Sequence, residues 1–349
     1  MSREGGVRVA VVGAGHWGPN LINNFQNSRR SQVSWVVDRD QARLERVRER
    51  FPDVQTTDDF DRVVRDDGVD AMVIATPTST HFDLAHAALE AGKHVLVEKP
   101  LADSAERCEA LCELAERERR VLMVGHIFVY NDAARQVKQI IEAGGLGRIY
   151  YIAMNRTNLG PIRVDVNAAW DLAAHDIALA SYWLDAQPDS VSATGRDWIN
   201  PGVEDAVFAT LRYPSDVLVH LHASWLHPRK TRDITVVGEE RMLTFDDMSL
   251  DEPLRIYDKQ VAGDRSQFAF ADSQATFRMM VREGDIHIPK VAASQPLRNE
   301  CDHFLDCIET GDTPLTDGRE GLAVVRVLEA IDASIRDGGR EVRIGTSHT

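Results

Sequence analysis

The stretch VVGAGHWGPNL, residues 11–21, sets glycines at 13, 15 and 18 in a G-x-G-x-x-G spacing. Any tight turn can collect glycines, so the flanks decide what the spacing means. The motif follows an apolar, β-rich run (VRVAVV) directly and opens a helical pattern, the setting in which such a spacing acquires a structural role. There Gly13 takes the tight turn, Gly15 lets the backbone approach a pyrophosphate, and Gly18 lets helix and sheet pack closely. Amide groups and the dipole at the helix start then favour phosphate charge.

Working outward, residues 7–126 alternate short β-rich runs with helical patterns. The runs are VRVAVVG, VSWVVD, DVQTT, AMVIAT, HVLVEK and VLMVGH, and several are apolar almost throughout, as strands buried on both faces should be. Between them lie QARLERVRERF, STHFDLAHAALEAG and SAERCEALCELAERER, with Ser79 or Thr80 as an N-cap and Gly92 as a stop. The alternation requires right-handed crossovers and predicts an α/β, doubly wound Rossmann-type parallel sheet of six strands. After His126 the pattern changes. A helix, DAARQVKQIIEAGG, leads through GRIYYIAMN and an irregular polar stretch (156–169) into strands in series, and the chain closes with two helices. Val217, Val219, Leu221, Ala223 and Trp225 alternate strictly, marking a strand with one buried face. Serial strands predict an α+β second domain on a large, mostly antiparallel sheet. The expected division is 1–126 and 127–349.

The totals exclude several classes. At 349 residues the chain is long enough for two cores, and 43% apolar with 27% charged residues is ordinary for a globular protein. No run reaches the roughly 18 apolar residues of a membrane span, and MSREGG lacks the build of a signal peptide, so a cytoplasmic protein is expected. A formal charge of −15 argues against a nucleic-acid partner. Cys108, Cys112, Cys301 and Cys307 form no C-x-x-C pair and read as reduced core thiols. His220 and His222 share a strand face without a third ligand in view, so no metal is expected.

Twenty residues past Gly18, at the end of the next strand, stands Asp38, where a carboxylate bonds the adenosine-ribose hydroxyls of NAD. Its charge would repel a 2'-phosphate, and Arg39 beside it offsets that only in part, so NAD is favoured over NADP. His16 and Trp17 sit where the glycine loop meets cofactor and substrate. Two further stretches end strands on the same sheet edge, ATPTSTH (75–81) and EKP (98–100). Taken alone, Lys99 is an ordinary surface lysine at a strand end, held extended by Pro100.

The combination of glycine motif, acid, ATPTSTH and EKP resembles the glucose-fructose oxidoreductase, inositol dehydrogenase and MocA (Gfo/Idh/MocA) family of NAD(P)-dependent oxidoreductases, over the whole chain. The resemblance implies that Lys99 is catalytic and that Thr76, Pro77, His81 and Glu98 line the cofactor. It also implies a D-x-x-x-H pair in the second half, supplied here by Asp171 and His175 of WDLAAHDI; without it, His175 would be a satisfied polar residue at a helix start. Four apart on a helical turn, the two share one face, while Asp176 falls on another and reads as packing or capping. Oxidising a secondary alcohol needs a base with a pKa near 7, which imidazole has untuned. His175 is assigned as base and Lys99 as electrostatic partner, roles that can be exchanged.

Finer resemblance of GHWGPNL and NRTNLGPIRVDVNAAWDLAAHDI is to the branch acting at the 3-position of UDP-linked N-acetylated sugars, giving a 3-keto sugar. A diphosphate on an acidic protein needs local cations, and Arg156, Arg163, Arg229, Lys230 and Arg232 are the candidates. Asn155, Asn158, Asn167 and Trp170 are candidates for sugar hydroxyls, the acetamido group or the nicotinamide edge. The alternatives are an inositol or free-sugar dehydrogenase, a deoxysugar ketoreductase, or, in another class, a non-catalytic dinucleotide sensor, against which the retention of Lys99, Asp171 and His175 counts. A large sheet with one open face predicts a homodimer or homotetramer through it.

Overall fold

The computed structural model describes residues 6–261, 281–292 and 295–345; the opening Met1–Gly5 lies outside them. The described residues form two compact units, one from within 1–131 and 295–329 and one from within 132–294 and 330–349.

In the first unit six strands, β1 (Val7–Val12), β2 (Ser31–Val37), β3 (Gln55–Thr57), β4 (Ala71–Ile74), β5 (His94–Glu98) and β6 (Leu122–Gly125), pair in parallel in the order β3-β2-β1-β4-β5-β6. Val9 to Val11 and all of β4 are fully buried, which is why these strands read as unbroken apolar runs. The order reverses between β1 and β4, and open α/β sheets bind ligands beyond the strand ends at such a point. The helices are α1 (Gly18–Asn27), α2 (Gln41–Arg50), α3 (Phe60–Val64), α4 (His81–Glu90) and α5 (Ala105–Glu118). Asp40 caps α2 through the Ala42 and Arg43 amides, and Ser104 caps α5 through Arg107 N–H. The expected side-chain cap on α4 is absent. A short 3₁₀ turn, Thr78–Thr80, runs into it, and the Thr80 hydroxyl lies 2.8 Å from both Thr76 Oγ1 and the Pro77 carbonyl instead. Gly92, at φ 70°, stops α4 as the sequence predicts.

Beside the boundary expected at residue 126, the compact units are discontinuous in sequence. Helix α8 (Pro296–Thr310) and the start of α9 (Gly318–Arg336) cluster with the parallel sheet. Phe304 meets Phe25 of α1 edge-on at 6.3 Å, Asn299 donates to the Tyr130 carbonyl, and Arg30 pairs with Asp306 and Glu309. An apolar and ionic face matched to α1 outweighs sequence order here.

The second unit opens with α6 (Asp132–Glu142). It is built on β7 (Ile149–Leu159), β8 (Ser190–Arg196), β9 (Ala206–Arg212), β10 (Leu218–Ser224), β11 (Leu226–Gly238), β12 (Met242–Asp246), β13 (Leu254–Val261), β14 (Val281–His287) and β15 (Val342–Arg343). The order is β14-β13-β12-β11-β7-β10-β9-β8-β15, antiparallel except where β10 joins β7. Val217, Val219, Leu221, Ala223 and Trp225 are all buried, as their alternation predicts. On the covered side α7 (Ala174–Leu184) contributes Trp183, which donates to the Ala134 carbonyl and meets Phe245. The opposite face exposes Tyr151 (44%), Phe208 (43%) and Leu218.

Glu300 of α8 is 0% exposed, and neither carboxyl oxygen has a hydrogen-bond partner among the described residues. Burial holds it well above the ordinary carboxyl range, and the negative charge of Glu98 adds to this. A carboxyl raised in the folded state contributes stability that is present below the unfolded range and lost as pH rises. Glu300→Gln is therefore expected to raise Tm at about pH 8, by about 2–4 °C for each kcal/mol relieved. The gain should shrink towards about pH 4, a contrast read by thermal unfolding at both pH values.

Candidate functional site

At the carboxyl end of β1 the three glycines have separate physical duties. Gly13 sits at φ 99°, and a Cβ there would lie 2.6 Å from the Ala75 carbonyl oxygen. A Cβ on Gly18 would lie 2.0 Å from the Gly13 carbonyl oxygen, so α1 can start only against a glycine. Gly15 is different, since only the flexible Arg43 guanidinium comes within 4 Å of its Cβ position, leaving backbone open to a phosphate. The Asp38 carboxylate accepts from Ala14 N–H (2.7 Å) and Asp40 N–H (2.9 Å), tying the end of β2 to the glycine turn. A carboxylate has about four acceptor positions, so it retains capacity for ribose hydroxyls. The guanidinium facing Asp38 belongs to Arg43, 3.5 Å away, whereas Arg39 is exposed. Arg43 had no motif to mark it. Its place follows from the α2 cap, which starts the helix at Gln41 and points its third residue back to the strand end.

The ATPTSTH and EKP stretches stand at the ends of β4 and β5. Thr76 is half-buried and Pro77 exposed. His81 is 1% exposed, with Nδ1 2.8 Å from the Pro100 carbonyl and Nε2 2.9 Å from the Thr76 carbonyl, so it spans the two loops from inside. Expected to line the cofactor, its ring is committed to the protein, and burial lowers its pKa. The Lys99–Pro100 bond is cis. Burial pushes the Glu98 carboxyl up to about 7, opposed by the Lys99 charge, the Lys99 amide and a hydrogen bond from Trp17. Trp17 thus links the glycine loop to EKP, while His16 is exposed. His126, just past β6, is buried and pushed down to about 3 by loss of solvent and by the Lys99 charge. Two groups beside the lysine motif, His126 and Glu300, carried no sequence signal beyond a polar residue at a strand end and one on an amphipathic helix.

In the second unit the polar stretch sorts differently from expectation. Arg156 is 5% exposed and holds Asp176 through Nε (2.9 Å) and Nη2 (2.6 Å). Its guanidinium is spent inside the protein, which corrects the phosphate role, and Asp176 is the packing residue its helical face suggested. Asn155 donates to Asp233, and Asn158 to the Gly160 carbonyl. Asn167 is buried, donates to Glu204 and Asp332, and accepts from the amides of Ala169 and Trp170. Trp170 donates to Asp332 at 2.8 Å. Asn167 and Trp170 therefore strap the turn through their polar atoms.

That turn is the centre of this half. Ala169–Ala173 is one π turn leading into α7, a form frequent at functional sites. Asp171 lies within it and His175, half-buried, lies four residues on. Asp171 Oδ1 accepts from Arg163 Nη1 and Oδ2 from Trp225 Nε1, each at 3.1 Å. Arg229 and Lys230 of β11 are exposed, and Arg232 pairs with Asp247. Among the described residues no cluster of three His, Cys, Asp or Glu is arranged to hold a metal.

Residues 7–126 match the model of the Gfo/Idh/MocA oxidoreductase family with an NAD-binding Rossmann fold, and 134–244 match the Gfo/Idh/MocA C-terminal domain. The scyllo-inositol 2-dehydrogenase (NAD(+)) of Bacillus subtilis is 28% identical over 348 residues, covering 95% of this chain and 95% of that protein. The UDP-N-acetylglucosamine 3-dehydrogenase of Acidithiobacillus ferrooxidans is 29% identical over 257 residues, 72% of this chain and 77% of that one. A solved structure of the latter superposes with a TM-score of 0.79 at 25% identity, over 95% of this chain and 97% of its own. A strand-turn-helix that leaves Gly15 open, an acid at the end of β2 and both family domains in order agree: the chain belongs to the Gfo/Idh/MocA family, as an NAD-binding oxidoreductase of CH–OH groups.

Proposed function

We propose that this protein oxidises a secondary hydroxyl of a sugar, with the 3-hydroxyl of a UDP-linked N-acetylated sugar as the preferred target, yielding a 3-keto sugar. The observation that carries the reading is the Asp171 carboxylate, which lies in the π turn four residues before His175 and is held from two sides by Arg163 and Trp225. Likeness to the A. ferrooxidans enzyme in sequence and structure supports the substrate class. A second reading, oxidation of a cyclitol, is favoured by the length of the match to the B. subtilis inositol enzyme.

Bound NAD supplies the hydride acceptor. His175 accepts the hydroxyl proton as general base. Lys99 contributes positive charge to the alkoxide as it forms, a contribution worth most where water is excluded. Gly13, Gly15, Gly18 and Asp38 hold the dinucleotide. With Arg156 committed to Asp176, exposed Arg229 and Lys230 are the cations left to meet a diphosphate, and Asn158 stands nearby in sequence to Gly160 at the end of β7.

The exposed Tyr151, Phe208 and Leu218 on the open sheet face support self-association, as a homodimer or homotetramer. Among the described residues no helix is long and apolar enough to cross a membrane, and the four cysteines are buried thiols, which supports a reducing, cytoplasmic setting.

Lys99→Ala and His175→Ala are each expected to lower turnover by about 100-fold or more while NAD still binds, measured as NADH absorbance and by dinucleotide titration. Unaltered turnover in both variants would refute the assignment. Asp38→Ala should weaken NAD more than NADP, and equal losses would remove its ribose role. NADH formation should be fastest with UDP-N-acetylglucosamine in a panel that includes free N-acetylglucosamine and inositols, with a keto-trapping aminotransferase present; activity confined to inositols selects the second reading.

A further inference from the structure

Arg163 entered as a candidate phosphate ligand, and its surroundings assign it otherwise. Its Nε and Nη2 donate to the two oxygens of Asp165, at 2.9 and 2.6 Å, in a bidentate pair. Nη1 donates to Asp171 at 3.1 Å. Three of the five guanidinium N–H groups are therefore directed at carboxylates of the protein. The guanidinium is thus already engaged with carboxylates of the protein, which leaves it little to offer a diphosphate.

Asp171 is held from its other side by a more rigid group. Trp225 is 0% exposed, and its backbone is fixed in both directions: its N–H donates to the Asp205 carbonyl at 2.9 Å, and its carbonyl accepts from Gly160 N–H at 3.0 Å. Its Nε1–H reaches Asp171 Oδ2. The carboxylate thus has one immobile donor and one donor on a side chain that is one-third exposed and itself aligned by Asp165.

We propose that Arg163, aligned by Asp165, is a positioning residue that holds the Asp171 carboxylate in its orientation within the π turn, and is not a ligand of the substrate. The inference rests on the assignment of Asp171 and His175 to proton transfer. With both oxygens engaged, the Asp171 carboxylate is fixed in direction, and the proton transfer itself is assigned to His175. Shifting a catalytic group by about 1 Å can cost about 100-fold in rate without loosening substrate binding, because orientation enters the barrier and not the ground state.

The test compares Arg163→Gln, Arg163→Lys and Asp165→Asn in the full chain at saturating NAD, on whichever alcohol gives NADH, so that it does not depend on the identity of the substrate. Arg163→Gln should lower kcat by about tenfold or more with KM changed less than about threefold. Arg163→Lys restores the charge without the fork and should recover part of kcat, while Asp165→Asn lowers it in the same direction by less. A rise in KM of about tenfold with kcat intact would overturn the proposal and make Arg163 a substrate ligand. Equal kcat in all variants would overturn it as well. Should Arg163→Gln fail to fold, judged by Tm and NAD binding, the Lys and Asn variants decide. Full activity in His175→Ala would instead count against the proton-transfer assignment itself.

Discussion

The close approach of α1 to the turn after β1 governs this molecule. With Gly18 set against the Gly13 carbonyl, at a distance no Cβ could share, the helix begins directly beyond the strand end, beside the open backbone of Gly15. Asp38 completes the constraint by binding Ala14 N–H, so that β2, the neighbouring strand, holds the same loop. Trp17 then carries it towards the EKP motif through Glu98. Glycine loop, acid and lysine motif are thus connected by short hydrogen bonds along the carboxyl edge of one parallel sheet, and the helices behind that sheet act as its support.

The second unit reaches its chemistry by another route. The first amides of a helical segment lack partners within it, and here Asn167 accepts two of them, while Trp170 is tied to Asp332, and Asp171 to Arg163 and Trp225. Several residues that look like ligand contacts from their polarity are therefore occupied in building the turn. The trade is physical. Each buried polar group needs a partner, and a side chain that supplies one has less to offer a ligand.

The fold was legible to a considerable depth because its signals are local and periodic. Unbroken apolar runs identified the six buried strands, and the alternation from Val217 to Trp225 identified a half-buried one. Gly13, Gly18 and Asp38 were legible because steric exclusion and charge act over a few residues of fixed spacing. The pairings of Arg156, Asn167 and Trp170 with Asp176, Glu204 and Asp332 were not legible, because the partners stand up to 165 residues away and side-chain pairing at that range leaves no trace in spacing.

By itself the sequence determined the class of each unit, the position of the dinucleotide loop and the identity of the acid and lysine motifs, since hydrophobic period, glycine stereochemistry and strand-end placement are properties of neighbours along the chain. Only the tertiary structure decided that α8 returns to the parallel-sheet unit, bringing the unpartnered carboxyl of Glu300 within electrostatic reach of Glu98, and that Arg163 faces two carboxylates. Those outcomes depend on which surfaces exclude water together and which charges then find partners, and that balance is struck in space, after the chain has folded back on itself.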